Sequence, residues 1–362
     1  MEKTNKIFAL ESLRGIAAIC VALFHYPSSS FLHFKYGHLG VYFFFVLSGF
    51  VISLNYIDKI NNFKDLANFQ IRRFWRLYPM HIVVLFIILF IQILKFFAVN
   101  YIGLKNGQIP FGDWYSLKDF FGSLFLIQSI FKYFYFLSWN GAAWSISTEF
   151  YAYIIFGILF MSIKKNFIPL IIFVYLLNRI LNFFDLTYFE SFFSFLNPVF
   201  FICIYYFSIG CFLYHVYKYL HNKIFINNFF SILFFILLIL LKYFHENIFI
   251  EYNSIIFALI LLITVLLKES TYLYKVLNFN LLIFLGTISY SFYLIHQSVI
   301  YLFIQFCKFI LEMQFHVDIV SGSVAATGNV YQDSAIHLSY IALTVLIAYF
   351  LFKYIEEPFR KK

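Results

Sequence analysis

Residues 79–99 read PMHIVVLFIILFIQILKFFAV, a run in which Lys95 is the one lysine, arginine or carboxylate. About 20 mainly apolar residues in a helix span the ~30 Å hydrocarbon core of a bilayer. Runs of or near that length recur at residues 7–26, 39–57, 119–138, 144–163, 167–184, 196–217, 226–243, 252–267, 281–308 and 336–355. The composition agrees: of 362 residues, 63% are apolar, 24% aromatic and 12% charged, with a mean hydropathy of +0.84. A soluble domain carries roughly 45–50% apolar and about 25% charged residues, so this chain cannot build a water-facing surface. Disordered, collagen-like and disulfide-scaffold classes are excluded on the same grounds. The sequence predicts an all-α fold, a polytopic transmembrane helical bundle forming a single domain over residues 1–362.

The run at 119–138 is the weakest, because Gly122, Gln128 and Lys132 interrupt it and five residues separate it from the next. Lys and Arg in short loops favour the cytoplasmic side. If this run does not cross and the N-terminus is inside, 17 Lys and Arg lie inside and 7 lie outside or at outer span ends; Arg14 and Arg179, within spans, complete the 26. If it crosses, the bias reverses to 10 inside against 14 outside. The expectation is therefore about ten spans, both termini cytoplasmic, and a re-entrant fourth segment. Non-helical backbone at membrane depth needs protein or a watery cavity around it, so that segment points toward a site.

Glu11 and Arg14 interrupt the first apolar run and no small-residue cleavage site follows, so the first span is expected to stay in the protein. Cys20, Cys203, Cys211 and Cys307 lie in apolar stretches without metal-ligand spacing and read as packing residues; no metal is expected. The net charge of +9 sits at span ends rather than on a basic soluble face, which argues against nucleic acid. Residues 316–335, HVDIVSGSVAATGNVYQDSA, are Gly/Ser/Ala-rich and read as an extracytoplasmic polar loop.

A charge in hydrocarbon costs at least ~2.5–3.5 kcal/mol, so each intramembrane ionisable group is a functional candidate. Arg14 and His25, eleven residues apart, fall within about 20° of one helix face and roughly 16 Å apart along the axis. Glu11, at i,i+3 from Arg14, offers the plainer reading of an ion pair; His25 reads equally as an interfacial hydrogen-bonder or a catalyst. In FQIRRFWRLYPMH, Arg72, Arg73 and Arg76 lie at the inner edge before a span that Pro79 is suited to open. Arg73 and Arg76, one turn apart, present forks that suit phosphate oxygens, while topology or lipid headgroups explain the same basic residues. Glu149, in WSISTEFYAYIIF beside Trp144, is expected near His25, where a carboxylate holds an imidazole's tautomer and supports its charged form; complementing a helix N-terminus is the alternative. Ser289, Tyr293 and His296 share a narrow helical face, open to interhelical bonding or to chemistry. Ser48 and Gly49 mark close helix approach. Arg179 has no assignable partner.

Together, ESLRGIAAICVALFHY with Arg14 and His25, GVYFFFVLSGFVIS, RRFWRLYP with Arg73 and Arg76, WSISTEFY, ISYSFYLIH and the terminal EEPFRK resemble the acyltransferase-3 family of bacterial membrane O-acyltransferases, over nearly the whole chain. The resemblance implies a ten-span enzyme of the bacterial cytoplasmic membrane that takes an acyl group, usually acetyl, from cytoplasmic acyl-CoA and modifies a glycan on the far side. It also implies that Arg14 and His25 are essential and that Arg73 and Arg76 serve the donor. Ending at EEPFRKK, the chain is expected to lack the hydrolase-like domain of longer members.

The combined expectation is transfer of acetyl from acetyl-CoA, a substrate rather than a resident cofactor, to a glycan or lipid-linked glycan hydroxyl. Arg73 and Arg76 bind the donor and His25 acts as base or acyl carrier, oriented by Glu149. Arg14 stabilises negative charge, and the Trp144, Ser289, Tyr293 and His296 face is presented to substrate. A transporter or flippase for lipid-linked glycans is the competing class, since mid-membrane charges mark transporters too. A purely structural scaffold explains Glu11, Arg14 and Glu149 poorly.

Overall fold

The computed structural model describes residues 7–26, 30–103, 109–163, 169–170, 172–173, 176, 195–221, 223–229, 231–232, 253–309 and 327–360. Their helices are α1 (Phe8–Phe24), α2 (Gly40–Tyr56), α3 (Phe63–Tyr101), α4 (Leu117–Leu124), α5 (Ala143–Ile163), α6 (Pro198–Leu220), α7 (Asn253–Leu266), α8 (Tyr272–Leu277), α9 (Asn280–Phe309) and α10 (Val330–Leu351). A π-helical turn, Phe352–Glu356, leads into α11 (Glu357–Arg360). Among the described residues the fold is helical, with two isolated β-bridges. Six helices there are long and apolar enough to cross a membrane: Gly37–Tyr56, Phe63–Tyr101, Ala143–Met161, Pro198–Leu220, Asn280–Cys307 and Val330–Arg360. The 17-residue α1 is slightly shorter and, at 1.5 Å per residue, rises about 25 Å. The runs at 167–184 and 226–243, and with them Arg179, lie largely outside the described residues.

Small residues bring the helices together. A Cβ on Gly49 of α2 would collide with the Phe207 carbonyl of α6, and one on Gly210 with the Val46 carbonyl. Likewise, a Cβ on Gly15 of α1 would meet the Gly286 backbone of α9. Backbones approaching this closely gain the dispersion contacts that drive association where lipid tails remove a hydrophobic force. Ser53, Phe207, Phe50 and Leu47 are fully buried at the α2–α6 seam.

Two expectations are corrected. Pro79 does not open a span: α3 begins at Phe63, where Asn62 caps the helix by accepting the Asp65 amide at 3.0 Å, and Pro79 lies in its interior. The preceding turns are charged, yet Leu66 and Phe69 bury one face, so the helix continues where the apolar run does not. Arg72, Arg73 and Arg76 therefore ride on a rigid helix instead of a loop. At the other end of the chain, the described part of the 316–335 segment is not all loop. Asn329 caps α10 by accepting the Tyr331 and Gln332 amides, and the helix starts at Val330; residues 316–326 lie outside the described residues.

The fourth run does not cross as a helix. α4 has eight residues, about 12 Å of rise, and turns follow until α5. The backbone is held against α3: Tyr78 donates to the Leu124 carbonyl at 2.9 Å and His81 to that of Ser123 at 2.8 Å. Leu126 and Trp139 take positive φ, 57° and 59°, a region costing L-residues about 1–2 kcal/mol. Ser147 donates to the Leu126 carbonyl at 2.6 Å, and the Trp139 indole to that of Ser116 at 3.0 Å. These four carbonyls thus find protein partners, the arrangement that a non-helical segment inside a bilayer would require.

Candidate active site

The polar residues that sequence singled out gather in two stations. The first surrounds α3. Arg73 donates from Nη2 to the Tyr56 hydroxyl at 2.8 Å and lies over the Tyr56 and Phe69 rings, 5.0 and 5.6 Å from their centroids. Arg76, one turn on, is faced by the carboxylates of Glu11, Glu149 and Glu356 and by the Tyr153 hydroxyl. Arg14 pairs with Glu11 at 3.6 Å. Arg72 is exposed, its guanidinium 5.8 Å from the Tyr56 ring centroid. The C-terminal turn closes the station: Glu356, 1% exposed, accepts the Ser291 hydroxyl at 2.5 Å and pairs with Arg360 at 2.8 Å. The Phe359 ring stacks on Trp75 with centroids 5.6 Å apart.

The second station lies at the other end of α1. His25 caps that helix, and a pocket opens beside it between the α1 end, α2, α5 and α9, lined among others by His38, Tyr42, Trp144, Tyr293, His296 and Gln297. Gly141 lets the chain entering α5 press against Gln297, whose amide oxygen lies 2.6 Å from where a Cβ would stand. Hydrogen bonding assigns the tautomers. His25 Nδ1 is 2.7 Å from the Val21 carbonyl, which only accepts, so Nδ1 carries the proton and Nε2 keeps a lone pair. His296 Nδ1 similarly donates to the Tyr293 carbonyl at 2.5 Å. Its Nε2 lone pair faces His25 Nδ1 at 3.4 Å, the second, longer acceptor of that proton. The Gln297 amide nitrogen, at 3.1 Å, donates to His25 Nε2, the atom a base or nucleophile would use.

The structure separates two residues that sequence reasoning joined. Glu149 accepts hydrogen bonds from Ser48 and from the Tyr153 hydroxyl, the latter at 2.6 Å, and faces Arg76. The groups bonded to His25 are Val21, His296 and Gln297. The physical reason is helical spacing: Trp144 of α5 reaches the pocket, whereas Glu149 stands five residues, about 7.5 Å, further along. Of the narrow face on α9, Tyr293 and His296 line the pocket, while Ser289 returns its hydroxyl to the Gly286 carbonyl at 2.8 Å. Tyr293 and Ser145 share a hydrogen bond at 3.0 Å.

Sequence reasoning gave no role to Gln297, His38, Tyr153, Glu356 or Arg360. The first adjoins His296 in sequence; the last two lie in the EEPFRK segment, beyond the final apolar run. Among the described residues no cluster of His, Cys, Asp and Glu is arranged to hold a metal.

A bundle of apolar helices with buried charges at one station and a hydrogen-bonded imidazole at another defines a helical membrane protein with two buried polar clusters. The model of the acyltransferase-3 family, described as an acyltransferase domain, matches residues 7–353. The chain belongs to that family, and it is a membrane acyltransferase. No curated protein and no solved structure matches it.

Proposed function

We propose that the protein is an O-acyltransferase of the bacterial cytoplasmic membrane, with both termini cytoplasmic, moving acetyl from acetyl-CoA to a hydroxyl of a cell-surface glycan. The observation that carries this reading is that the same helices serve both stations. Arg14 and His25 belong to α1, Ser291 and His296 to α9, and Tyr153 and Trp144 to α5. Eleven residues of helix separate Arg14 from His25, about 16 Å, a distance that an extended pantetheine arm bridges.

Arg73 and Arg76 hold the donor phosphates through charge-assisted hydrogen bonds, and Arg14 offsets negative charge along the arm. At the far station His25 Nε2 exchanges the Gln297 amide for the acceptor hydroxyl. As the hydroxyl oxygen attacks the thioester carbonyl, its proton passes to Nε2. The tetrahedral intermediate collapses by breaking the C–S bond, and the imidazolium returns the proton to the departing thiolate. An ester and free CoA result. The Val21 carbonyl and His296 keep the Nδ1 proton in place so that Nε2 stays basic. Glu149, with Ser48 and Tyr153, serves the arginine station.

The test compares surface-glycan mass spectra of cells with the protein, without it, and with His25→Gln. One acetyl increment that depends on the wild-type chain and disappears in the folded variant is expected. Glycan that reaches the surface only with the protein, and is never acetylated, would overturn the reading in favour of a carrier.

A further inference from the structure

The arginine station is unbalanced in charge. Among the described residues, Arg76 neighbours Arg73 and Arg360, Arg360 neighbours Arg14, and the carboxylates that face these four arginines are Glu11, Glu149 and Glu356, one fewer than the cations. Two guanidinium donors there, Arg73 Nε and Arg360 Nε, are buried without a hydrogen-bond partner. An unsatisfied charged donor in such a setting costs more than a neutral one, and both features point to a missing anion. Neither orphan donor is satisfied within the protein: Arg73 spends Nη2 on Tyr56, and Arg360 Nη2 lies 2.8 Å from Glu356 Oε1 in an ion pair that leaves that oxygen without a hydrogen bond as well.

Arg360 reaches this place from the end of the chain because its turn is docked at two points. Phe359 lies flat on Trp75, the rings 10° from parallel, and Trp75 directly precedes Arg76. Glu356 is fixed to α9 through Ser291. The EEPFR segment is therefore a wall of the station.

We propose that Arg360 is a third arginine of the donor site, joining Arg73 and Arg76 on a diphosphate of the kind CoA carries, with Glu356 holding its guanidinium in position. This rests on the proposed use of acyl-CoA. A lipid phosphate shares the relevant chemistry, and the test separates the two sources.

CoA binding to the full chain in nanodiscs would be measured for wild type, Arg360→Ala, Glu356→Gln and the Arg73→Ala/Arg76→Ala pair, with pantetheine as the phosphate-free probe. Arg360→Ala is expected to weaken CoA about ten- to hundred-fold, the range of a charged hydrogen bond, and to leave pantetheine unchanged. Glu356→Gln releases the guanidinium it positions and is expected to weaken CoA by a smaller factor while leaving pantetheine unchanged, whereas a purely structural ion pair predicts that both variants lose CoA, pantetheine and thermal stability alike. Glu356→Gln also keeps the test decisive if Arg360→Ala fails to fold. Wild-type affinity in a folded Arg360→Ala overturns the inference, as does an effect present in nanodiscs containing phosphatidylglycerol and absent in phosphatidylcholine alone. If the Arg73/Arg76 variant binds CoA normally, the donor assignment itself fails; if it is weakened and Arg360→Ala is not, only the third arginine is lost.

Discussion

Replacing His296 with glutamine separates a supporting histidine from a reacting one. His25 Nδ1 has two acceptors, the Val21 carbonyl at 2.7 Å and His296 Nε2 at 3.4 Å. The shorter bond belongs to the backbone of α1 and survives any side-chain change. The variant therefore loses the weaker of two interactions, a net contribution of about 0.5–1.5 kcal/mol, which is roughly two- to twelve-fold in rate. Removing a general base outright costs about 10²–10⁴-fold. Acyl transfer from labelled acetyl-CoA, measured at saturating donor in nanodiscs, should thus retain roughly a tenth or more of wild-type turnover in His296→Gln and fall below about 1% in His25→Gln. Because His296 is 1% exposed, thermal unfolding of both variants must accompany the rates. A folded His296→Gln as inactive as His25→Gln would refute the reasoning, since His296 would then carry the proton or the acyl group itself.

Membrane-impermeant maleimide applied to intact cells should label a thiol at Lys35→Cys and spare one at Tyr354→Cys, in a background with half-buried Cys20 replaced; the other three native cysteines are buried. Labelling of both from one side would end the division between donor and acceptor stations. Gly49→Leu and Gly286→Leu push a side chain into the carbonyls of Phe207 and Glu11 and should lower stability by at least ~1–3 kcal/mol, read as an earlier melt in detergent; an unchanged melt would deny the close packing. A double-mutant cycle of Glu149→Gln with Tyr153→Phe should show coupling of about 0.5–3 kcal/mol, while Glu149→Gln with His25→Gln should add to within about 0.5 kcal/mol. Strong coupling in the second cycle would put Glu149 back beside the imidazole.

Much of the helical layout was legible because hydrocarbon imposes one requirement at a time. The apolar runs at 7–26, 39–57, 196–217 and 281–308 correspond to α1, α2, α6 and α9 with ends shifted by a few residues. Hydropathy misplaced the start of α3 because Phe63–Tyr78 is amphipathic, burying Leu66 and Phe69 while exposing Arg72; a composition window averages such a face away. It missed the first turns of α10 because their polar residues serve capping and buried bonds: Asn329 caps the helix, and Asp333 accepts from nearby Thr327 and from Tyr26 at the end of α1.

The candidate residues were legible for a different reason, and the error in pairing them follows from it. A charge inside a span advertises itself by its cost, which flags Glu11, Arg14 and Glu149 one at a time but says nothing about which of them meet. Spacing within one helix settles Glu11 with Arg14, and it correctly sets His25 about three turns away. Between helices the register depends on where small residues let backbones touch, Gly15 on Gly286 in one case, and no residue type encodes that depth. Once α1 and α9 are in register, His296 meets His25 at 3.4 Å, and the demand for a partner at Nδ1 is met by Val21 and a neutral imidazole. A carboxylate at that position would have supported the imidazolium more strongly. A neutral partner fixes the ring without retaining the proton, which suits the proposed role of His25 as a base that returns its proton to the departing thiolate in the same turnover.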